Sequence, residues 1–464
     1  MVEIARLRIG LVIVSLSLAS FGSLRSADRL PNFVVIFADD LGYGDLGCFG
    51  HPTIRTPHLD RMAAEGMKLT QFYSASSVCT PSRAALLTGR LPIRSGMCSS
   101  RRRVLFPNSK GGLPAAEITL AEALKTKGYV TGCVGKWHLG HLPQFLPTNN
   151  GFDFYYGIPY SNDMDFVGKM GAREALFAPK LEYWNVPLMR NVEIIERPVD
   201  QTTITERYTE EGVRFIKAHK GRPFFLYLPH SMPHVPLFTS ERYRGKSRRG
   251  LYGDVIEELD GSVGRILETL RAEGIAEQTL VFFTSDNGPW LPFRDHGGSA
   301  GPLREGKGTT WDGGMREPCI AWWPKRISAR TVHAGLTSTM DIFTTCLKLA
   351  GVALPTDRRI DGVDMTALLT HGAPSLRDTV YFYRGQELFA IRKGVFKAHF
   401  TTQNSVEQPS GPQRHDPPLL FNLEVDPGER QEIGADYPKV LAELKHLAEK
   451  RQSELKPRPS QLEM

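Results

Sequence analysis

The chain has 464 residues, 41% of them hydrophobic and 23% charged, a balance that excludes a disordered, collagenous or polytopic membrane protein. Its length suits one large α/β domain with a small companion, or about three domain-sized units, and no repeat of roughly 20–50 residues points to a solenoid or propeller. Lysine and arginine exceed aspartate and glutamate by 57 − 50 = 7, a surplus that favours nucleic acid, anionic glycans or small acidic substrates without choosing among them.

Glu3, Arg6 and Arg8 flank an apolar run over residues 9–21, followed by Gly22-Ser23-Leu24-Arg25-Ser26-Ala27. The run is shorter than the ~20 residues of a bilayer-spanning helix, so residues 1–27 are expected to be a secretory signal peptide rather than an anchor. Its removal takes three arginines and one glutamate, leaving 7 − 2 = +5. After it, Asn32–Ala38 is a continuous apolar run, the pattern of a strand buried on both faces, and it stops at Asp39-Asp40. Similar runs at residues 129–134, 224–228 and 280–283 lead into Lys136-Trp137-His138, His230 to His234, and Asp286-Asn287. Amphipathic patterns at 120–127, 203–217 and 252–270 predict intervening helices. Alternating strands and helices predict an α/β fold, a large, mostly parallel sheet with helices on both faces. Ligands of such sheets bind beyond the carboxyl ends of the strands, so the four polar clusters are expected to converge. From about residue 355 the pattern changes to short strands (380–383, 387–392, 396–399) and a helix at 439–454. This predicts a small C-terminal α+β domain with an antiparallel sheet over residues 366–464, beside a catalytic domain over 28–365.

Six cysteines, Cys48, Cys79, Cys98, Cys133, Cys319 and Cys346, lie far apart with no zinc-like spacing, and can pair or stay buried. The densest motif is Cys79-Thr80-Pro81-Ser82-Arg83-Ala84-Ala85-Leu86-Leu87-Thr88-Gly89-Arg90. Pro81 suits the first helical position and Thr80 an N-cap, which sets Cys79 just ahead of a helix where the dipole favours an anion. Arg83 adds a permanent cation beside this candidate nucleophile.

This segment, with Gly135-Lys136-Trp137-His138-Leu139-Gly140, resembles the two signatures of the formylglycine-dependent sulfatases of the alkaline-phosphatase-like superfamily. The resemblance spans residues 31–430, including Asp426-Pro427-Gly428-Glu429, and is nearest the branch holding arylsulfatase A and N-acetylgalactosamine-6-sulfatase. It implies that a maturation enzyme oxidises Cys79 to formylglycine. It also implies that Asp39, Asp40, Asp286 and Asn287, with residue 79, hold one calcium ion, a choice that hard oxygen donors suit. Arg83, Lys136, His138, His234 and Lys307 match the remaining catalytic shell. By that resemblance Lys136 and Lys307 neutralise sulfate, His234 protonates the departing alcohol and His138 takes a proton as sulfate leaves. Ser161, in Gly157-Ile158-Pro159-Tyr160-Ser161, matches a serine that contacts sulfate.

Gly297-Gly298-Ser299-Ala300-Gly301 satisfies G-x-S-x-G but lacks the strand–turn–helix context of a nucleophile elbow. Arg101-Arg102-Arg103 and the basic run from Arg242 to Arg249 are expected to be solvated loop charge. No P-loop, dinucleotide or nucleic-acid motif occurs, no stable membrane span is expected, and oligomeric state is left open. The expected activity is hydrolysis of sulfate monoesters, on carbohydrates bearing 6-sulfated galactose or N-acetylgalactosamine. Alternatives are an arylsulfatase A-type enzyme on other sulfate esters, a phosphate or phosphonate hydrolase, and a non-catalytic glycan-binding protein with unmodified Cys79. The chain has no N-x-[ST] sequon and lacks the cysteine-bearing tail of N-acetylgalactosamine-6-sulfatase, so the expected location is periplasmic or secreted rather than lysosomal.

Overall fold

Six successive apolar residues after Asn32, all seven buried, make Asn32–Ala38 (β1) a strand covered on both faces. A computed structural model of the protein describes residues 29–406 and 411–464. The signal peptide expected over residues 1–27 lies outside the described residues. β1 sits in the middle of an eleven-stranded sheet. The other ten strands are β2 (Met67–Tyr73), β3 (Val130–Val134), β4 (Phe154–Gly157), β5 (Leu188–Arg190), β6 (Glu193–Glu196), β7 (Phe224–Pro229), β8 (Thr279–Ser285), β9 (Arg316–Trp322), β10 (Thr331–His333) and β11 (Thr337–Ser338). The order is β10-β2-β9-β8-β1-β7-β3-β4-β5-β6, with β11 also paired to β2. The central block β8-β1-β7-β3-β4 is wholly parallel, whereas β9 runs against both β8 and β2.

Alternate residues of β1 feed two cores, as a two-residue strand period requires. Val34, Ile36 and Ala38 pack with helices Pro57–Glu65, Ile204–His219 and Leu251–Ala272. Phe33, Val35 and Phe37 point the other way, toward Cys79–Thr88, Leu120–Lys125 and Thr339–Leu349. Helices therefore cover both faces, as the alternation predicts.

The second sheet is antiparallel: β12 (Thr379–Arg384), β13 (Glu387–Lys393), β14 (Phe396–Thr402) and β15 (Gln413–Asn422), in that order. Helix Pro438–Glu454 buries Leu444 and Ala448 against it. The same core takes in Ala85, Leu91 and Ile93, so the small sheet backs directly onto the helix that begins at Cys79. The preceding helix Thr366–His371 buries Leu368 and Leu369 in the main core. All six cysteines are free, and all but Cys48 are buried. No helix among the described residues is long and apolar enough to cross a membrane.

Candidate functional site

Parallel strands end on one edge, and that edge gathers the four polar clusters. β1 delivers Asp39 and Asp40, β3 Lys136 and His138, β7 His234, and β8 Asp286 and Asn287. Two further strands reach the same edge. β4 leads to Ser161, and β2, antiparallel to β9 and hence codirectional with β8, leads to Cys79. The chain turns sharply as it leaves β1 and β3, with φ of 64° at Asp40 and 58° at His138.

Helix Cys79–Thr88 starts earlier than Pro81 suggests. Val78, in extended conformation, is the N-cap, and Cys79 is the first helical residue. Thr80 does not cap; its hydroxyl donates to the His138 carbonyl at 3.0 Å. Pro81 is tolerated because amides of a first turn have no intrahelical acceptor to lose. Burial, then the charges of Asp286 and Asp39, push the Cys79 thiol well above its usual range.

Around Cys79 stands a dense, buried ionic cluster. Its Sγ lies 3.4 Å from Asp39 Oδ1 and 3.6 Å from Lys307 Nζ. Lys136 Nζ donates to Asp39 Oδ2, and to Ser161 Oγ at 3.0 Å. Arg83 clasps Asp286 Oδ2 through Nε at 3.0 Å and Nη2 at 2.7 Å, and its Nη1 donates to the Lys136 carbonyl at 2.8 Å. Lys307 Nζ donates to Asp40 at 2.8 Å, as does Asn287 Nδ2 at 2.7 Å. Burial opposes the charge on Asp39, but Lys136, Arg83, His234 and Lys307 together hold its carboxyl well below the ordinary value. Asp40 is pushed up to about 7 by burial and by its carboxylate neighbours Asp39 and Asp286, against the pull of Lys307.

The two histidines are buried and differently wired. His138 Nε2 faces the Leu105 carbonyl at 2.9 Å and must donate to it, which leaves Nδ1 as a free lone pair without a partner. Burial, then Lys136, drive its pKa well below 6.5. His234 Nδ1 donates to the Val235 carbonyl at 2.5 Å, and Nε2 stands 3.6 Å from Asp40 Oδ2. Burial, then Lys307 and Lys136, lower its pKa well below 6.5 too.

Ligand atoms of Asp39, Asp40, Cys79 and His234 all lie within 4.8 Å of one another, a possible metal-binding group. The donors suit a hard divalent cation: carboxylates crowd together, and Asn287 Oδ1 is buried without a hydrogen-bond donor. Asp286 is more committed, since Arg83 holds one oxygen and the Asp40 amide the other, at 3.2 Å.

Above the cluster opens a pocket of about 560 Å³, lined by Cys79, His138, Ser161, His234 and Lys307 among the expected residues. Sequence reasoning missed Trp290, whose ring lies tilted 5.4 Å from that of His234 and 4.4 Å from Lys307 Nζ. Its position just after Asp286-Asn287 was the available signal. It also missed Asp163 and Arg103; the latter was expected to be solvated loop charge but lines the pocket. Ser299 of the G-x-S-x-G segment is tied to the 42–45 turn, its amide donating to Asp45 Oδ1 at 2.9 Å.

A cation-walled pocket at the carboxyl edge of a parallel sheet, with a reactive side chain at its floor, defines a hydrolase of anionic esters. Family models agree over nearly the whole chain: Sulfatase matches residues 31–352 and the C-terminal region of aryl-sulfatase matches residues 375–464. The chain belongs to the sulfatase family and hydrolyses sulfate esters. It is 42% identical to arylsulfatase A of Bos taurus, over 92% of this chain and 88% of the relative. It is also 42% identical to N-acetylgalactosamine-6-sulfatase of Canis lupus familiaris, over 97% and 91%. Among solved structures it is similar to the PsFucS1 sulfatase from Pseudoalteromonas sp., with TM-score 0.83 and 32% identity over 93% of this chain and 92% of that one.

Proposed function

We propose that the protein is an exported sulfatase that desulfates carbohydrates, acting on 6-sulfated galactose or N-acetylgalactosamine at chain ends, with formylglycine made from Cys79 and one calcium ion. Asp39, Asp40, Asp286 and Asn287 would hold the ion beside residue 79, and when bound it supplies positive charge to the sulfate oxygens. Formylglycine at residue 79, when formed, would supply a hydrated aldehyde with one hydroxyl as nucleophile and a second that permits release of sulfate.

The chain's own groups do the rest. Lys136 and Lys307 bind and neutralise sulfate oxygens, and Ser161, held by Lys136, adds a hydroxyl contact. Arg83 fixes Asp286 and assists ionisation at residue 79. His234 acts as general acid toward the departing sugar oxygen from its imidazolium form, in which Nε2 also carries a proton, with Lys307 beside it. His138 takes the proton released at residue 79 through its free Nδ1.

The observation that carries this reading is the position of Cys79 at the pocket floor, within 3.4 Å of Asp39 Oδ1 and 3.6 Å of Lys307 Nζ, in a chain matched by both sulfatase models. Support for the sugar comes from a relative named N-acetylgalactosamine-6-sulfatase. Support for export comes from the leader-like run of residues 9–21.

The test is to produce the protein with a formylglycine-generating enzyme and assay matched aryl sulfate and aryl phosphate esters. A panel of mono-sulfated galactose, galactosamine and glucosamine isomers then follows. Sulfate should be turned over in preference to phosphate, and 6-sulfated galactose-type sugars in preference to other isomers. A preference for 3-sulfated sugars contradicts the 6-position, and a preference for phosphate contradicts sulfate specificity.

A further inference from the structure

Beside the catalytic pocket the structure holds two guanidinium groups that form no ion pair among the described residues. Arg103 lines that pocket and also a small neighbouring cleft of about 20 Å³, which carries Ser77, Ser99 and Ser100 on its wall. Arg384, at the carboxyl end of β12, lines the same cavity. Both groups are fixed by close backbone approaches. A Cβ on Gly308, next to Lys307, would lie 2.5 Å from Arg103 Nη2. A Cβ on Gly385 would lie 2.7 Å from the Ser99 carbonyl oxygen, so the β12–β13 hairpin abuts the segment leading to Arg103.

Neither guanidinium has an ion-pair or hydrogen-bond partner among the described residues, and Arg384 Nε is buried without one. Among the described residues Arg384 meets the Phe389 ring, at 5.9 Å, and feels the charge of Glu387 across the hairpin. Glu387, the acid nearest in its hairpin, is taken by Arg414 at 3.3 Å. Arg103 is exposed on one side and crowded on the others. That crowding, and secondly the charge of Arg384, lower its pKa to about 10. Two like charges held together over a cavity are destabilising unless an anion lies between them. Val78 and Arg103 wall both spaces, which makes them neighbours.

We propose that Arg103 and Arg384 form a second anion subsite, which receives a sulfate or carboxylate on the sugar next to the one being desulfated. The subsite rests on the carbohydrate reading above and extends it: the preferred substrate is polyanionic, with the second charge one residue along the chain.

Equilibrium binding tests it without turnover. Full-length Cys79→Ala protein is titrated calorimetrically with the sulfated monosaccharide that the isomer panel selects. Three disaccharides of that sugar follow, whose neighbouring residue is neutral, carries a carboxylate, or carries a second sulfate. One or both anionic disaccharides should bind at least about tenfold tighter than the neutral one, the worth of a charge-assisted contact. Which of the two gains identifies the anion. Arg384→Gln, added to Cys79→Ala, should erase that gain and leave the monosaccharide affinity unchanged, and Arg103→Gln, whose side chain also lines the catalytic pocket, should weaken the anionic disaccharides by more than the neutral one. Equal binding of the neutral and anionic disaccharides, or equal losses on every probe, overturns the subsite. The catalytic reading fails separately, through absence of sulfate ester turnover by the formylglycine-bearing wild type.

Discussion

His234 and His138 share a pocket and a buried, cation-lowered pKa, yet their free nitrogens give them different work. If His234 serves the departing oxygen, its loss should matter most where that oxygen leaves as a poor leaving group. His234→Ala should therefore slow sugar sulfates by ~10²–10⁴-fold and aryl sulfates much less, because a phenolate departs without full protonation. Equal losses on both would make it a sulfate-binding group only. His138→Ala should instead leave attack on sulfur intact and block release. A sulfated protein should then accumulate on mixing with substrate, visible as a mass increase at residue 79. A variant that is inactive and carries no adduct would place His138 elsewhere in the reaction. The residues flanking Cys79 made this site legible, because the cysteine motif, Lys136 and His138 are contiguous words in the sequence. Arg103 and Trp290 were not legible, since their roles depend on which loops meet above the sheet.

The elements that place these side chains leave little room at their ends. Gly135, just past β3, has φ +136°, and a Cβ there would lie 1.8 Å from the Pro229 carbonyl oxygen at the end of β7. The next residue, Lys136, hangs from that same carbonyl through its amide at 2.7 Å. Gly135→Ala should destabilise the fold by about 3 kcal/mol or more and lower activity with it, as thermal melts and sulfate ester assays will read. A stable, fully active variant would mean that the β3 and β7 ends can part without disturbing Lys136. At this scale β1, β3, β7 and β8 were readable because burial on both faces writes a continuous apolar run. β2, with its half-buried pattern, and the four-residue β4 gave no such run, although they carry the chain to Cys79 and Ser161. Sheet order was hidden as well: β1 lies between β7 and β8 through pairings some 190 to 250 residues away, which local pattern does not encode.

Across the whole molecule, the small C-terminal sheet braces the loop that carries Lys307. Glu429 accepts the Asp312 amide at 2.7 Å through Oε2 and the His399 Nε2 proton at 2.7 Å through Oε1, and its carbonyl takes Arg304 at 2.9 Å. Lys397 lies between Asp312, at 2.9 Å, and Glu429, at 3.0 Å. Arg304 and Asp312 bracket Lys307, so the second sheet helps fix a side chain of the site. Burial, then the charge of Lys397, lower His399 to about 4, against the pull of Glu429. Because this lies below the unfolded value of about 6.5, the unfolded chain binds more protons between those two pH values. The contribution of His399 is thus complete above about pH 6.5 and declines toward pH 4, by up to ~3 kcal/mol at ~1.4 kcal/mol per unit. His399→Gln should cost less stability in acid than at neutrality when denaturant melts are compared. An equal cost at both would show that His399 does not couple this interface to pH. The C-terminal antiparallel sheet was legible from its short strands, but its seat behind helix Cys79–Thr88 was not, because only tertiary packing joins Ala85 to Leu388 and Leu420.

The central claim is that sulfate ester hydrolysis runs through an oxidised residue 79. It is tested most directly by measuring specific activity across preparations that differ in the fraction of residue 79 carried as formylglycine, read by peptide mass. Activity should rise in proportion to that fraction and extrapolate to zero for the pure thiol. Full activity in protein whose Cys79 is entirely unmodified would contradict the account.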